Sequence, residues 1–382
     1  MAPPGHVLTD TVAGRIRREG PIPFDVFMEI ALYDPVHGFF STGAGAGRAG
    51  RDFITSPEVG SLFGACVARA IDRWWRALGS PDPFLVVEAG AGSGRLARDV
   101  LRARPACERA LRYLLVERSA ALRAEQAQRL ALEPPDEALG PFVHATAEDE
   151  PVPVPAAGPV VASLEDLPAI AFEGVVFANE LLDNLPFGIA EFDGDEWREV
   201  RVGLDEGDAL HEVLVPLPEP PPIGDHVPLP GDRVPIPRAL DAWIDACGGV
   251  LRRGYLAVVD FVMDAPHPGW LRTYRAHGPG GSPLDAPGTQ DVTGDVLFAQ
   301  LVRAARRVGF DVVARVTQAE WLRGLGIDDL VSAGRAAWRA GAARGDLEAL
   351  AGRSRVAEAR ALTDPAGLGA HDVVVFGKGV RR

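Results

Sequence analysis

The sequence is poor in cysteine and lysine and has no long apolar run. Cys66, Cys107 and Cys247 are an odd number without C-x-x-C spacing, so the sequence predicts neither a disulfide framework nor a metal site. Lysine is confined to Lys378, and acidic residues exceed basic ones, giving a formal net charge of −14. This charge argues against a nucleic-acid partner, because phosphate contacts require basic side chains. No apolar stretch approaches the roughly 18 residues of a membrane helix, so we expect no membrane span.

The length and composition are those of a globular protein with a large core. The 382 residues are 47% hydrophobic and 24% charged, which is compatible with one large or two modest domains. The unpaired cysteines fit a reducing, cytoplasmic setting. The abundance of alanine, glycine and proline, with arginine in place of lysine, is typical of a GC-rich bacterial genome.

A glycine-rich loop joins a predicted buried strand to a predicted helix. Residues 85–87 are apolar and lead to Glu88, and a helix is predicted over residues 96–101. The loop between them has glycine at alternate positions: Gly90, Gly92 and Gly94. Glycines let the backbone turn sharply and bring N–H groups close to a ligand, and the helix N-terminus favours a negative group. This pattern predicts the nucleotide-binding crevice of a doubly wound α/β sheet.

The loop is compatible with two cofactors. The spacing Glu-x-Gly-x-Gly-x-Gly from Glu88 resembles the first motif of class I S-adenosylmethionine (SAM) methyltransferases, in which the acid lies near the methionine ammonium group. Gly92, Gly94 and Ala97 also fit the G-x-G-x-x-A variant of the dinucleotide motif. An ordinary tight turn is the third interpretation.

Acidic residues follow the next predicted strand and lie in a predicted loop beyond it. The apolar run 113–116 ends on Glu117, a position that binds ribose hydroxyls with either cofactor. Glu165 and Asp166 lie in a predicted loop after Ser163.

A third buried strand, over residues 174–179, carries a polar pair at its end. Asn179 and Glu180 are followed closely by Asp183. Polar residues at the carboxyl end of a central strand are where chemistry occurs in such folds. The alternative for Glu180 and Asp183 is a solvated helix start.

The N-terminal region is predicted to be helical, with helices over residues 8–19 and 22–33. The glycine-rich loop 42–50 is a candidate lid. Ser56 is predicted to cap the next helix, with Pro57 in its first turn and Glu58 complementing its dipole.

Two insertions are predicted, at about residues 203–237 and 264–291. The first contains a proline-rich run, which favours polyproline II or a surface loop. The second is a Gly/Pro-rich loop that carries Arg272. The last strand, over residues 372–377, suits a closing antiparallel hairpin.

Several motifs, in order along nearly the whole chain, resemble the MidA family of SAM-dependent methyltransferases, relatives of the mitochondrial complex I assembly factor. The motifs cover residues 20–22, 33–40, 52–64, 88–94, 163–168, 178–186, 271–277 and 316–320. The resemblance implies a Rossmann-like class I α/β fold with a mostly parallel seven-stranded sheet and an antiparallel C-terminal hairpin. It also implies an N-terminal helical cap over residues 1–80 and a catalytic core over residues 81–382.

The resemblance implies SAM as cofactor and symmetric methylation of a protein arginine. The candidate cofactor-binding residues are Glu88, Gly90, Ala91, Gly92, Gly94, Glu117, Glu165, Asp166, Asn179, Ser56 and Pro57. The candidate catalytic residues are Glu180, Asp183, Asn179 and Glu58, with Arg272 as a further acceptor-side candidate. Carboxylates such as Glu180 and Asp183 are suited to binding a guanidinium and removing its proton.

The chain departs from the family pattern at positions that concern the acceptor. Phe39 and Phe40 replace tyrosines, Phe261 stands where the family has tyrosine, and Asp295 replaces a histidine. The partners compatible with the sequence are therefore a protein with an accessible arginine or a small-molecule acceptor, and a homodimer. A cofactor-binding assembly factor without catalysis and a nicotinamide dehydrogenase are the remaining alternatives.

Overall fold

The computed structural model describes residues 4–41, 55–139, 158–275, 278–341 and 347–380. The candidate lid at residues 42–50 lies outside this part of the chain. The helices are α1 (Pro4–Glu19), α2 (Phe24–Tyr33), α3 (Ser56–Val59), α4 (Ser61–Ala77), α5 (Arg95–Arg102), α6 (Ala120–Arg129), α7 (Pro135–Leu139), α8 (Arg238–Val250), α9 (Phe298–Arg307), α10 (Gln318–Gly324), α11 (Ile327–Gly341) and α12 (Leu347–Leu362). In the described ranges, no helix has the length and apolar character needed to cross a membrane.

The strands are β1 (Ile22–Pro23), β2 (Phe84–Ala89), β3 (Leu111–Val116), β4 (Val160–Leu164), β5 (Phe172–Asn179), β6 (Gly188–Phe192), β7 (Trp197–Leu204), β8 (Leu210–Pro216), β9 (Arg233–Ile236), β10 (Leu251–Asp260), β11 (Val262–Met263), β12 (Leu271–Arg275), β13 (Gly278–Pro279), β14 (Asp291–Gly294), β15 (Val296–Leu297), β16 (Asp311–Thr317) and β17 (Asp372–Lys378). Short 3-10 helices lie at Leu182–Asn184 and Leu368–Ala370.

The chain forms two compact units, each built from three stretches. Unit 1 contains Met1–Ile54, Glu180–Ala246 and Asp260–Gly309, and unit 2 contains Thr55–Asn179, Cys247–Val259 and Phe310–Arg382. These limits differ from the expected division at residue 80. Helix α4 belongs to unit 2 because it packs closely on α5: a Cβ added at Gly64 would lie 2.6 Å from the Asp99 Cβ.

Unit 2 is built on a seven-stranded sheet in the order β16-β17-β10-β5-β2-β3-β4. The pairs β10–β5, β5–β2, β2–β3 and β3–β4 are parallel, whereas β16 and β17 pair antiparallel. Every residue of β2 and β3 is buried, as expected where both faces of a parallel sheet are covered. The predicted mostly parallel seven-stranded sheet with an antiparallel C-terminal hairpin is confirmed.

Helix α10 of unit 2 begins with a capping box. Thr317 accepts a hydrogen bond from the backbone N–H of Glu320, and the Glu320 carboxylate accepts one from the N–H of Thr317. The next residue, Gln318, is buried and contacts Ser56. The motif at residues 316–320 therefore fixes the start of a helix.

Unit 1 contains a second sheet in the order β1-β7-β6-β9, with β8 paired to β7. Helix α2 buries one face, formed by Phe24, Phe27, Met28, Ala31 and Leu32. These side chains belong to a core that also contains Ile189 and Val200 of the sheet. Asp34 and Pro35 end α2, since proline disfavours helix in the residue before it.

Both predicted insertions contain strands in unit 1. Residues 217–232 lack helix and strand, as predicted, but β8 precedes them and pairs with β7 along its length. In the second insertion, β12 pairs with β14 and with β13, so Arg272 lies in a strand rather than in a loop. Pairing with a neighbouring strand stabilises these short segments, and the local sequence does not show which strand that is.

Candidate cofactor and acceptor sites

The glycine loop of unit 2 runs from the end of β2 to the start of α5. Gly90, Gly92 and Gly94 have φ values of 69°, 52° and 76°, a region that strongly favours glycine. A Cβ added at Gly92 would meet no atom of the described residues within 4 Å, so they leave the space above this residue open to a ligand. At Gly94 a Cβ would lie 3.1 Å from Leu130 and 3.2 Å from Gln126, so this glycine allows close packing beneath the loop.

Neighbouring elements of unit 2 hold the loop through its backbone. The N–H of Ala91 donates to the carbonyl of Val116 at 3.0 Å. Gln126 Nε2 donates to the carbonyl of Gly92 at 2.7 Å, and Arg129 donates to that of Ser93 at 2.8 Å. Helix α6 therefore fixes the loop before any ligand binds.

Glu117 follows β3 and accepts two backbone hydrogen bonds. Its Oε2 accepts from the N–H of Gly92 at 2.9 Å and its Oε1 accepts from the N–H of Ser119 at 2.8 Å. Each carboxylate oxygen keeps a lone pair, so Glu117 is suited to the hydroxyls of a ribose. Burial raises the pKa of this carboxyl.

Glu88 lies under the loop and is only 4% exposed. Its Oε2 accepts a hydrogen bond from the hydroxyl of Tyr113 at 2.7 Å. Burial raises the pKa of Glu88 to about 8, against the opposing effects of the Tyr113 hydroxyl and the Ala97 N–H. The Tyr113 hydroxyl occupies one carboxyl oxygen, and the expected contact of Glu88 with the ammonium group of the cofactor stays a prediction.

The residues before α4 contact other parts of unit 2. Thr55, rather than Ser56, is the N-cap of α3, because Ser56 already has helical geometry. The Ser56 hydroxyl instead donates to Gln318 Oε1 at 2.9 Å, and Pro57 occupies the first turn as predicted. The predicted capping role of Ser56 is therefore wrong.

Glu58, on α3, forms an ion pair with Arg95, the first residue of α5. Glu58 Oε1 lies 3.0 Å from Arg95 Nε. Glu58 is 5% exposed, and its Oε2 is buried without a hydrogen-bond partner among the described residues. No local sequence pattern indicates that Arg95 contacts Glu58.

Glu165 and Asp166 follow β4 and are both exposed. Glu165 pairs with Arg123 at 3.0 Å, and 66% of its side chain is accessible. Asn179 is the last residue of β5, at the carboxyl end of the sheet.

In unit 1, the segment after Asn179 has an unusual backbone. Glu180 has φ of 51°, although it is not glycine. Asp260 Oδ2 accepts hydrogen bonds from the N–H groups of Leu181 and Leu182, at 3.1 and 2.8 Å. Left-handed geometry at a non-glycine residue costs about 1–3 kcal/mol and persists where surrounding contacts enforce it. Asp260 supplies such contacts.

Asp183 is buried close to this segment. Its Oδ2 accepts a hydrogen bond from the hydroxyl of Thr293 at 2.7 Å. Its Oδ1 is buried, and no described residue donates a hydrogen bond to it. Burial raises the pKa of Asp183 to about 6. Burial also raises the pKa of Asp260, and the negative charge of Asp183 raises it further.

The family departures at Phe261 and Asp295 lie together in unit 1. Arg272 forms an ion pair with Asp295, and its guanidinium carbon lies 4.9 Å from the centroid of the Phe261 ring. Asp295 also contacts His267 Nε2 at 2.9 Å. The acid at position 295 thus holds two basic side chains that a histidine there would repel when protonated.

Known proteins are similar to this chain over most of its length. The model of the family described as "Putative S-adenosyl-L-methionine-dependent methyltransferase" matches residues 66–315. The chain belongs to this family. The methyltransferase is also 32% identical over 325 residues to a Drosophila melanogaster protein named "Protein arginine methyltransferase NDUFAF7 homolog, mitochondrial", covering 78% of this chain and 70% of the relative. The human protein named "Protein arginine methyltransferase NDUFAF7, mitochondrial" is 30% identical over 332 residues, covering 82% and 72%.

A solved structure supports the same family. It is a crystal structure of a Burkholderia thailandensis protein, described as a "likely methyl transferase" and bound to S-adenosyl-homocysteine. The TM-score is 0.78 at 26% sequence identity, and the match covers 99% of this chain and 94% of that one. The family description and this structure show that the cofactor of the methyltransferase is SAM. The family and the fold predicted from the sequence motifs are confirmed.

Most of the residues predicted to bind the cofactor lie in or next to the glycine loop of unit 2. Glu117 is hydrogen-bonded to the glycine loop, and Glu88 lies in β2 just before it. These residues fit SAM through the open space above Gly92 and the lone pairs of Glu117. The roles of individual residues stay predictions. Gln126 and Thr293 were not predicted, because no local sequence pattern marks them. Asp260 was not predicted either, although it ends an apolar strand, β10, at the kind of position that marked Glu180.

Proposed function

We propose that the methyltransferase acts on an arginine side chain of a protein, with Glu180 and Asp183 binding the guanidinium. Two curated relatives are named as protein arginine methyltransferases. The observation that carries the proposal is the buried Oδ1 of Asp183, to which no described residue donates a hydrogen bond. An unpaired buried carboxylate oxygen is costly, and a guanidinium with five N–H donors is well suited to satisfy it.

The carboxylate of Asp183, when ionised, attracts a cation. The charge of Asp295 raises the pKa of Asp183, whereas Arg272, which is paired with Asp295, lowers it. A unit charge pair at about 4 Å contributes roughly 4 kcal/mol at an effective dielectric constant of about 20. A cationic side chain bound here is therefore strongly favoured over a neutral one.

The chemistry requires the acceptor to lose a proton. SAM supplies an electrophilic methyl group on a sulfonium. A protonated guanidinium is a poor nucleophile. As the N–C bond forms and the S–C bond breaks, the guanidinium nitrogen becomes acidic, and Asp183 takes the released proton. A carboxyl with a pKa of about 6 is ionised at neutral pH and remains a stronger base than an exposed aspartate.

The test follows labelled methyl transfer from SAM into cell lysate, with protein and small-molecule fractions counted separately. Acid hydrolysis of the protein then identifies the methylated amino acid, and we expect symmetric dimethylarginine. Asp183→Asn and Glu180→Gln should lower incorporation by about 10²-fold or more. Asp225→Asn, an exposed acid of the same unit, is the control and should retain full transfer.

Two results would contradict the proposal. Full incorporation by Asp183→Asn would show that this carboxylate does not bind or deprotonate the acceptor. Label confined to the small-molecule fraction would identify a small-molecule methyltransferase, the alternative that the changes at Phe261 and Asp295 favour because they alter the acceptor side.

A further inference from the structure

We infer that Arg95 and Glu58 together bind the amino-acid end of SAM, with the guanidinium of Arg95 contacting the α-carboxylate and Glu58 Oε2 accepting a hydrogen bond from the ammonium group. This inference concerns the methyl donor, so it stands apart from the choice of acceptor proposed above. It rests on the position of the ion pair beside the glycine loop and on the groups that the pair leaves available.

The ion pair lies where the loop enters its helix. Arg95 follows Gly94 directly and is the first residue of α5. The N-terminus of a helix favours negative charge, because its first N–H groups lack partners within the helix. An arginine at this position adds a full positive charge to the same place. The end of the glycine loop therefore attracts an anion, and the α-carboxylate is the anionic group of SAM.

The guanidinium of Arg95 has donors to spare. Its Nε faces Glu58 Oε1 at 3.0 Å, and the side chain is 28% exposed. Nε makes the closest contact with Glu58, yet it has no hydrogen-bond partner among the described residues, so Glu58 holds the guanidinium through an ion pair. A planar guanidinium held at Nε presents its two terminal nitrogens as a fork, which matches the two oxygens of a carboxylate. Glu58 therefore orients Arg95 without consuming its binding capacity.

Glu58 also has a free acceptor. One oxygen faces Arg95, whereas Oε2 is buried and unpartnered within the described part of the chain. Glu88, the acid expected near the ammonium, already accepts a hydrogen bond from the Tyr113 hydroxyl at its Oε2. Glu117 accepts two backbone N–H groups and is suited to a ribose. Glu58 Oε2 is thus the buried acceptor oxygen that a cationic donor would satisfy.

The two pairs of charges are complementary. The amino-acid end of SAM carries one carboxylate and one ammonium on the same carbon, and Arg95 and Glu58 carry the opposite charges side by side. Binding converts one ion pair into an alternating arrangement of four charges. Opposite charges are then adjacent throughout, and the buried oxygen of Glu58 gains its missing hydrogen bond.

The competing explanation is that the pair only fastens α3 to α5. The two explanations differ in which ligands they affect, and a pair of probes separates them. S-adenosylhomocysteine has the amino-acid end, whereas 5′-methylthioadenosine has the same adenosine and thioether but lacks that end. A structural role changes the affinity for both probes alike, and a binding role changes only the first.

We would titrate the full chain with each probe by calorimetry. Arg95→Gln should weaken S-adenosylhomocysteine binding by about tenfold or more, while leaving 5′-methylthioadenosine within about twofold. Glu58→Gln should likewise weaken the binding of S-adenosylhomocysteine more than the binding of 5′-methylthioadenosine. Arg98→Gln is the matched control, one turn along α5 and paired with Asp99 at 2.9 Å, and it should leave both affinities unchanged.

The inference is wrong if Arg95→Gln weakens both probes equally or leaves both unchanged. Retained binding of 5′-methylthioadenosine also reports that the variant is folded, so loss of S-adenosylhomocysteine binding alone cannot come from unfolding. Neither measurement involves a methyl acceptor. If the acceptor is not a protein arginine, the inference about Arg95 and Glu58 still stands. If that inference fails, the proposal about the acceptor is likewise unaffected.

Discussion

Replacing Glu88 with glutamine should change how the stability of the methyltransferase depends on pH. The native protein keeps a proton on Glu88 up to about pH 8, whereas the unfolded chain releases it near pH 4.5. Between these values the unfolded state binds fewer protons, so the free energy of unfolding falls as pH rises, by about 1.36 kcal/mol per pH unit. Glutamine has no proton to release, so this contribution disappears.

The expected magnitude follows from the pH interval. Two pH units, from 5.5 to 7.5, correspond to about 2.7 kcal/mol, and the full interval sets a ceiling near 4.8 kcal/mol. Urea unfolding of the wild type and of Glu88→Gln at several pH values measures this change in the free energy of unfolding. The unfolding free energy of Glu88→Gln minus that of the wild type should rise by about this amount, because all other groups titrate equally in both.

The control is Tyr113→Phe, which removes the hydroxyl bonded to Glu88 but keeps the buried carboxyl. This variant should keep the falling stability of the wild type. If the curves of wild type and Glu88→Gln instead stay parallel within about 0.5 kcal/mol, Glu88 is ionised in the native state and the reasoning from burial fails.

Three further outcomes are expected. Gly94→Ala should lower the free energy of unfolding, measured in urea, by about 2–4 kcal/mol, because the new residue has left-handed strain and its Cβ is crowded. Gly79→Ala has the same kind of strain but open space around its Cβ, so it should cost less. Equal costs would refute the packing argument. Glu358→Ala should cost about 1–3 kcal/mol in the same assay, because it leaves the Leu62 N–H unpaired, and an unchanged midpoint would contradict this. The kcat/KM for methyl transfer should rise with pH through about 6, as Asp183 ionises, and a flat profile would exclude it as the base.

The sequence predicts the core of unit 2 because its signals are local. Alternate glycines from Gly90 to Gly94 can adopt left-handed geometry, and apolar runs that end on acids mark parallel strands, so the loop and the order of elements follow directly. The partner of Glu88 does not follow. Tyr113 pairs with Val86 across β2 and β3, which places its hydroxyl on the same side of the sheet as Glu88. That contact depends on strand register.

The parts that escaped prediction are those built by distant segments. Strand β8 forms because β7 lies beside it, although the nearby prolines indicate a loop. Asp260 supports the backbone after Glu180 from a strand 80 residues further along, and Thr293 reaches Asp183 from β14. Each of these contacts needs the folded chain, so composition and periodicity carry no trace of it.

The place of β17 in the sheet has a consequence for biosynthesis. This strand, at residues 372–378, lies between β16 and β10, so the edge of β10 stays unpaired while the ribosome makes the following residues. From residue 260 to residue 372, translation at about 5–20 residues per second takes roughly 6–22 s. During that interval the nascent chain presents an open apolar strand edge, a template for pairing with other chains. Chaperone binding to the ribosome-bound chain would protect this edge until the last strand emerges.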